Sequence, residues 1–315
     1  MKQIVITLTF VCLCVALFGC QKQEAQTTVP DHKKLTVVTT LFPLYDFARA
    51  VAGDKAEIRL LLPPGVEPHS FEPKPEDMVR VSKADLVVYT NEYMEPWAVK
   101  MLRTIASKPV VVDASKGVTL LKAGPEEAAE QAHEGEHHGG MDPHIWLDFS
   151  NAQIMVQNIA DGLATKDPAN KDFYQANARA YQQELAKLDE EYRAGLSRCV
   201  KKEFLHGGHF AFGYLAKRYG LNYLSAQALN PDSEPTPAKI AQLIREMRTN
   251  GLKYVYCEEL LSPATAEMIA RETDATVLLL NGAHNISKED FDKKTSFLSL
   301  MRQNLVNLRL GLQCK

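Results

Sequence analysis

The stretch Lys171 to Ser197 contains no proline and meets its first glycine only at Gly195, while Phe173, Tyr174, Tyr181, Leu185, Leu188, Tyr192 and Leu196 recur every three or four residues. That period marks one face of an α-helix, and at 1.5 Å per residue the helix would be about 40 Å long, more than one small domain needs. A different rhythm flanks it. Upstream, strands read at Leu35 to Phe42, Glu57 to Leu62, Asp85 to Thr90 and Pro109 to Asp113, with helices at Tyr45 to Ala52, Pro75 to Ala84 and Pro96 to Ile105 between them. Asn151 to Ala164 is a further amphipathic helix. Downstream, strands at Phe204-Leu205, Asn222 to Ala228, Tyr254 to Glu258 and Ala275 to Leu280 alternate with helices at Phe212 to Tyr219, Pro237 to Asn250 and Pro263 to Thr273, and a last helix runs from Thr295 to Leu312. Strand-helix alternation implies parallel sheets covered by helices. The predicted architecture is α/β: two (β/α)4-like lobes with parallel sheets, residues 35–165 and 199–315, joined by one long rigid helix within 166–198. Ligands of open α/β sheets sit outside the carboxyl ends of the strands, so two such lobes make a cleft there.

The first nineteen residues do not belong to the fold. Lys2 precedes an uncharged apolar run from Ile4 to Phe18, followed by Gly19-Cys20. This is a secretory leader, too short for a membrane span of about 20 residues. Cysteine directly after Leu17-Phe18-Gly19 resembles a lipobox, in which cleavage precedes the cysteine and Cys20 carries lipid. Residues 20–34 then read as a polar tether, and the mature chain is expected to be exported and lipid-anchored on the periplasmic or outer face of a bacterial membrane. Export leaves Cys199, Cys257 and Cys314 in an oxidising compartment, where one pair and one leftover is the simplest arithmetic. Cys257 ends an apolar run and Cys314 stands beside the C-terminus, so a Cys257–Cys314 staple is expected. A balance of 36 basic against 39 acidic side chains, with no basic stripe, argues against nucleic acid.

Three histidines lie in loops beside element ends. His69 ends Gly65-Val-Glu-Pro-His69, His144 follows Asp142-Pro143, and His209 follows Gly207-Gly208. Imidazole suits borderline divalent transition ions, and a stiff backbone preorganises its nitrogen. Gly65-x-Glu-Pro-His69-x-Phe-Glu-Pro-x-Pro75, Asp142-Pro-His144-x-Trp-Leu-Asp148 and His209-x-Ala-Phe-Gly-Tyr-Leu-Ala-x-x-Tyr-Gly-Leu221 resemble the signature segments of the metal-ion solute-binding lipoproteins of ABC transporters, in the family's order and over nearly the whole mature chain. The resemblance implies a metal in the inter-lobe cleft, His69, His144 and His209 as its ligands, and a membrane permease with its ATPase as partner. It implies a monomer that binds a transported ion, not an enzyme.

Three neutral nitrogen ligands favour Zn2+ over the harder Mn2+. Manganese-handling members bring acidic ligands in the C-terminal lobe, whereas here the third position is His209 and the segment after the last strand reads Leu279-Leu280-Asn281-Gly-Ala-His284-Asn285. The fourth ligand is left open among Glu67, His284, Asn281 and water. His206 does not fit the register of the third signature segment and reads as structural. Residues 124–140 carry five glutamates together with His133, His137 and His138; this surface loop resembles the auxiliary weak metal loop of zinc-type members. A manganese or iron protein of the same family and a metal-dependent surface adhesin fit the same pattern. A zinc hydrolase fits it poorly: there is no His-Glu-x-x-His helix and no Gly-x-Ser-x-Gly elbow.

Overall fold

The computed structural model describes residues 34–107, 109–123, 140–229, 231 and 234–315. The leader, Cys20, the tether up to Lys33 and His133, His137 and His138 lie outside the described residues. Four parallel strands form the first sheet: β1 (Leu35–Thr39), β2 (Ala56–Leu60), β3 (Leu86–Tyr89) and β4 (Val110–Asp113), in the order β2-β1-β3-β4. Four more, β5 (Glu203–His206), β6 (Asn222–Ser225), β7 (Tyr254–Cys257) and β8 (Thr276–Leu279), repeat that topology as β6-β5-β7-β8. Each sheet thus starts at an inner strand, steps to one edge and then crosses to the other side. The crossing opens a crevice at the carboxyl ends beside the first strand of each lobe, and the segments after β2, β4, β5, β7 and β8 supply the site described below.

In the first lobe the helices are α1 (Phe42–Ala52), α2 (Pro75–Ser82) and α3 (Pro96–Thr104), each opening with a proline in its first turn, where no N–H partner is needed. Then come α4 (Phe149–Lys166) and α5 (Lys171–Leu196). The second lobe carries α6 (Gly213–Tyr219), α7 (Pro237–Asn250), α8 (Ala264–Thr273), the short α9 (Lys288–Asp292) and α10 (Phe297–Gly311). Helix α7 shows how locally these starts are written: Thr236 accepts a hydrogen bond from the Lys239 amide at 3.1 Å and Pro237 follows it.

The 26 residues of α5 span about 39 Å, but α5 is not a bare strut. Its buried face, Tyr174, Ala178, Leu185, Leu188, Tyr192 and Leu196, packs along α4, and α10 returns from the second lobe to lie against α5 and α1. Phe173, read from the sequence as part of that face, sits at its edge under Gly53, with Lys55 over its ring. The result is one apolar core running through both lobes, from Val37 and Phe47 through Phe149 and Tyr192 to Phe204, Tyr256 and Phe297. Strand alternation sends the other side chains to two outer cores. Val38, Val87 and Trp97 fill one, and Leu205, Val255 and Ile269 fill the other. Among the described residues, no helix is long and apolar enough to cross a membrane.

Polar ties reinforce the junction. Asp46 on α1 accepts from Tyr181 Oη (2.9 Å) on α5 and from the Phe297 amide (3.0 Å) at the start of α10. Arg218 on α6 reaches Asp189 on α5 (2.6 and 2.8 Å) and Asp148 (2.6 Å), the residue that caps α4. Partial burial alone would raise the Asp189 carboxyl, but Arg218, Tyr219 and Arg193 together hold it at about 2. Its folded value lies below the unfolded one near 3.9, so the ion pair adds stability above about pH 4 and loses it as pH falls toward 2. Asp189→Asn should therefore lower the unfolding free energy at pH 7 by about 1–2 kcal/mol, after allowance for the water that still reaches the pair. It should also flatten the acid limb in urea titrations across that window; an unchanged limb would remove the pair from the account.

The disulfide joins Cys199 to Cys314, and Cys257 is free, which corrects the expected Cys257–Cys314 pairing. Residues 198–201 and 312–315 run antiparallel, with Lys201 N–H donating to Leu312 O (3.0 Å) and Lys315 N–H to Arg198 O (3.2 Å), so the tails leaving α5 and α10 bring Cys199 and Cys314 together. Cys257 is excluded by strand parity. Tyr256 faces the central core and packs against Gly311 of α10, whereas Cys257, one residue on, faces the outer core.

Candidate metal centre

Four loops at the carboxyl ends of the two sheets each deliver one histidine to the cleft. His69 follows β2 in the Pro-Pro-Gly turn, whose Gly65 N–H donates to Ile286 O (2.8 Å); Glu67 Oε1 accepts from the His69 amide (3.0 Å), and Trp97 Nε1 donates to Pro68 O (3.3 Å). His144 precedes a single 3-10 turn, Ile145–Leu147, and Asp142 Oδ1 accepts from both its backbone N–H (3.0 Å) and its Nδ1 (2.8 Å). His209 follows β5, and Glu258, at the end of β7, grips it in the same way: Oε1 accepts from its backbone N–H and its Nδ1, both at 2.8 Å. That grip explains Gly208, because a Cβ there would lie 1.9 Å from Glu258 Oε1.

Carboxylates on Nδ1 fix the tautomer. Each places the ring hydrogen on Nδ1 and leaves Nε2 with a bare lone pair. His144 Nε2 lies 3.4 Å from both His69 Nε2 and His209 Nε2. A tetrahedral zinc site with Zn–N near 2.05 Å has edges of about 3.3–3.4 Å between donors, so both separations match such an edge. His284 joins them: one ring nitrogen from each of His69, His144, His209 and His284 lies within 4.8 Å of the others, a group that could hold a metal ion, and among the described residues no carboxylate joins it. His144, His209 and His284 are buried, while His69 is half-buried.

Electrostatics act differently on the donors. Burial, with His144, His209 and His206 nearby, drives the His284 pKa well below its ordinary value, so its ring stays neutral. Burial works against charge on His209, but Glu258, with Glu67 and Glu259, outweighs it and raises that imidazole, and the His209 contact lowers the Glu258 carboxyl despite burial. Burial pushes Asp142 up to about 7 and Glu259 to about 8.

Of the candidates left open for the fourth position, Asn281 is occupied otherwise: its Oδ1 accepts from the Ala283 amide at 2.8 Å and shapes the turn that presents His284. Glu67 holds the His69 amide and stands outside the four-histidine group. His206 is fully buried behind His209, its Nδ1 3.2 Å from the His209 carbonyl, and burial lowers it to about 4. Asp148 caps α4, and Trp146 Nε1 donates across the cleft to Gly282 O (2.8 Å), its indole edge-on to His144 and His284. Sequence reasoning gave no role to Asp142, although a carboxylate two residues before a candidate ligand was a visible signal. It missed Glu259, which accepts from the Gly282 amide (3.0 Å), and Asn285 and Asn304, which had no motif to mark them.

Two parallel-sheet lobes with imidazole nitrogens converging between them define a two-lobed metal-ion binding protein. The family model described as "ZnuA: Zinc-uptake complex component A periplasmic" matches residues 37–311. The chain is 40% identical over 289 residues to the high-affinity zinc uptake system protein ZnuA of Bacillus subtilis, covering 90% of this chain and 89% of that one. It is 36% identical to the zinc-binding lipoprotein AdcA of Streptococcus pneumoniae over 98% of this chain, but spans only 61% of that longer protein. The crystal structure of the Zn(II)-bound ZnuA-like domain of Streptococcus pneumoniae AdcA superposes with a TM-score of 0.75 at 36% identity, covering 89% of this chain and 99% of that one. The chain belongs to the ZnuA family.

Proposed function

We propose that this chain is the extracytoplasmic zinc-capturing component of an ABC-type uptake system, with His69, His144, His209 and His284 as the ligands of one Zn2+ and the ion handed on to a membrane permease driven by its ATPase. The observation that carries this reading is the pair of 3.4 Å separations from His144 Nε2 to His69 Nε2 and His209 Nε2, with the tautomers of His144 and His209 fixed by buried carboxylates. Membership of the zinc-uptake family and the likeness to a Zn(II)-bound relative support it. Glu258, kept ionised by His209, contributes a negative charge immediately behind the ligand shell, and Asp142 accepts the Nδ1 hydrogen of His144 on the other side. Four protein donors complete a tetrahedron and leave no position for a metal-activated water, which suits storage and release of an ion rather than hydrolysis. Cleavage before Cys20 and lipidation of that residue would tether the protein beside its permease.

Native mass spectrometry of the mature protein is expected to show one zinc per chain after dialysis against excess metal, retained at nanomolar free zinc. A protein that stays metal-free under these conditions contradicts the reading.

A further inference from the structure

We propose that the turn between β3 and α3, residues 90–97, is a positioning element of the metal centre: Asn91 and Trp97 hold the backbone directly before His144 and His69, and so set the spacing of those two imidazoles before a metal arrives. The inference rests on the four-histidine reading above and deepens it. His69 and His144 stand 75 residues apart and neither lies in a strand, so no sheet register aligns them. Yet both obey one local rule. Each follows a proline, whose ring fixes φ, and the carbonyl of each proline accepts a hydrogen bond from this one turn: Trp97 Nε1 donates to Pro68 O (3.3 Å) and Asn91 Nδ2 to Pro143 O (3.3 Å). The Ile145 amide shares the Pro143 carbonyl from within the ligand's own segment (2.9 Å), whereas Asn91 reaches it from a different loop. Trp97 also packs edge-on against Phe71, two residues past His69, with ring centroids 4.9 Å apart. Holding the peptide plane in front of a ligand leaves only side-chain torsions to place its nitrogen, and for His144 Asp142 restrains those as well.

Glu95 makes the turn stiff enough for this task. Thr40 follows β1 and Thr90 follows β3, the neighbouring strands at the crossing of the first sheet. Open α/β sheets hold their ligands in that crevice, and here the fully buried Glu95 carboxylate occupies it. Its Oε2 accepts from the amides of Thr90 (2.9 Å) and Asn91 (3.3 Å), and its Oε1 from the hydroxyls of Thr90 (3.4 Å) and Thr40. A buried carboxylate is costly unless its oxygens are met, and these donors tie the turn to both strands. The Glu95 amide in turn donates to Asn91 O (3.1 Å). Asn91 is oriented by its own contacts: Oδ1 accepts from the amides of Tyr93 (2.9 Å) and Met94 (2.8 Å), which turns Nδ2 toward Pro143. Glu95 is also the residue on which α3 begins, and Trp97 lies in the first turn of that helix. Both donors are therefore carried by the same clasp.

The test measures zinc affinity, by competition with a chromophoric chelator, in Asn91→Asp and Trp97→Phe. The first keeps the Oδ1 contacts but turns the donor into an acceptor, and the second keeps an aromatic ring against Phe71 but loses the N–H. Each variant should bind zinc about 10-fold more weakly than wild type. Positioning makes these losses specific to one ligand. In a His144→Ala background Asn91→Asp should change the affinity by no more than about 2-fold while Trp97→Phe keeps its effect, and in a His69→Ala background the pattern should reverse. Losses of equal size in every background would mean that the turn supports only the fold, and this overturns the proposal, as does wild-type affinity in both variants. Wild type that binds no zinc overturns the underlying reading instead. A measurement on the unmutated protein guards against variants that fail to fold: Trp97 is one of two tryptophans, and its indole N–H should exchange with solvent as slowly in metal-free protein as in zinc-loaded protein. Fast exchange that slows only on loading would show a turn organised by the metal, and would also overturn the proposal.

Discussion

Zinc titrations of His144→Ala and His209→Ala are expected to show affinities reduced by on the order of 10²–10³-fold relative to wild type. Structural zinc sites supply about 10–16 kcal/mol through four ligands, so one imidazole accounts for about 3 kcal/mol, or roughly 10²-fold in affinity. Alanine at either position also strands a carboxylate, Asp142 or Glu258, that the imidazole had been satisfying. Glu258→Gln keeps all four nitrogens but loses the negative charge behind His209, so a milder loss of about 10–100-fold is expected. That ordering separates ligands from their supports. A Glu258→Gln variant as weak as His209→Ala would mean that the carboxylate, not the imidazole, dominates binding.

Removing the disulfide should have the largest effect on stability. The bond closes a loop with a sequence separation of 115 and ties the end of α10 to the end of α5. Chain-entropy arguments give about 4–5 kcal/mol for a loop of this size, with measured values spanning about 0–5. Cys199→Ser or Cys314→Ser should accordingly lower the melting temperature by about 10 °C, and reductant should reproduce the shift in wild type. Cys257→Ser should leave both the melting temperature and its response to reductant almost unchanged. If Cys257→Ser instead abolished the reductant effect, the pairing described here would be wrong.

The two readings of the cysteines show where sequence reasoning stops. Tyr254-Val-Tyr-Cys257 reads from the sequence only as an apolar run; that Tyr256 and Cys257 face opposite cores, and which of them the last helix covers, is settled by how α10 packs on α5 and α1. Strands, helices and the two-lobed plan were legible because each rests on a local period or a local stop such as Pro237 or Gly251. The histidines at 69, 144 and 209 stood out because proline or glycine pairs mark their loops, and the structure brings them together. His284 remained one candidate among several, since the loop after β8 has no period. Its pose depends on Asn304, Pro63, Val66 and Trp146, which are distant in sequence. Long-range hydrogen bonding of this kind leaves no trace in spacing.

The central claim is that one zinc ion sits between the lobes on four imidazoles. Anomalous diffraction from crystals of the zinc-loaded protein, collected on both sides of the zinc absorption edge, tests it most directly. The account predicts a single strong peak about 2.0–2.1 Å from one nitrogen each of His69, His144, His209 and His284, with tetrahedral angles. A peak held by three histidines and a carboxylate or water, with the His284 ring turned away, would contradict it.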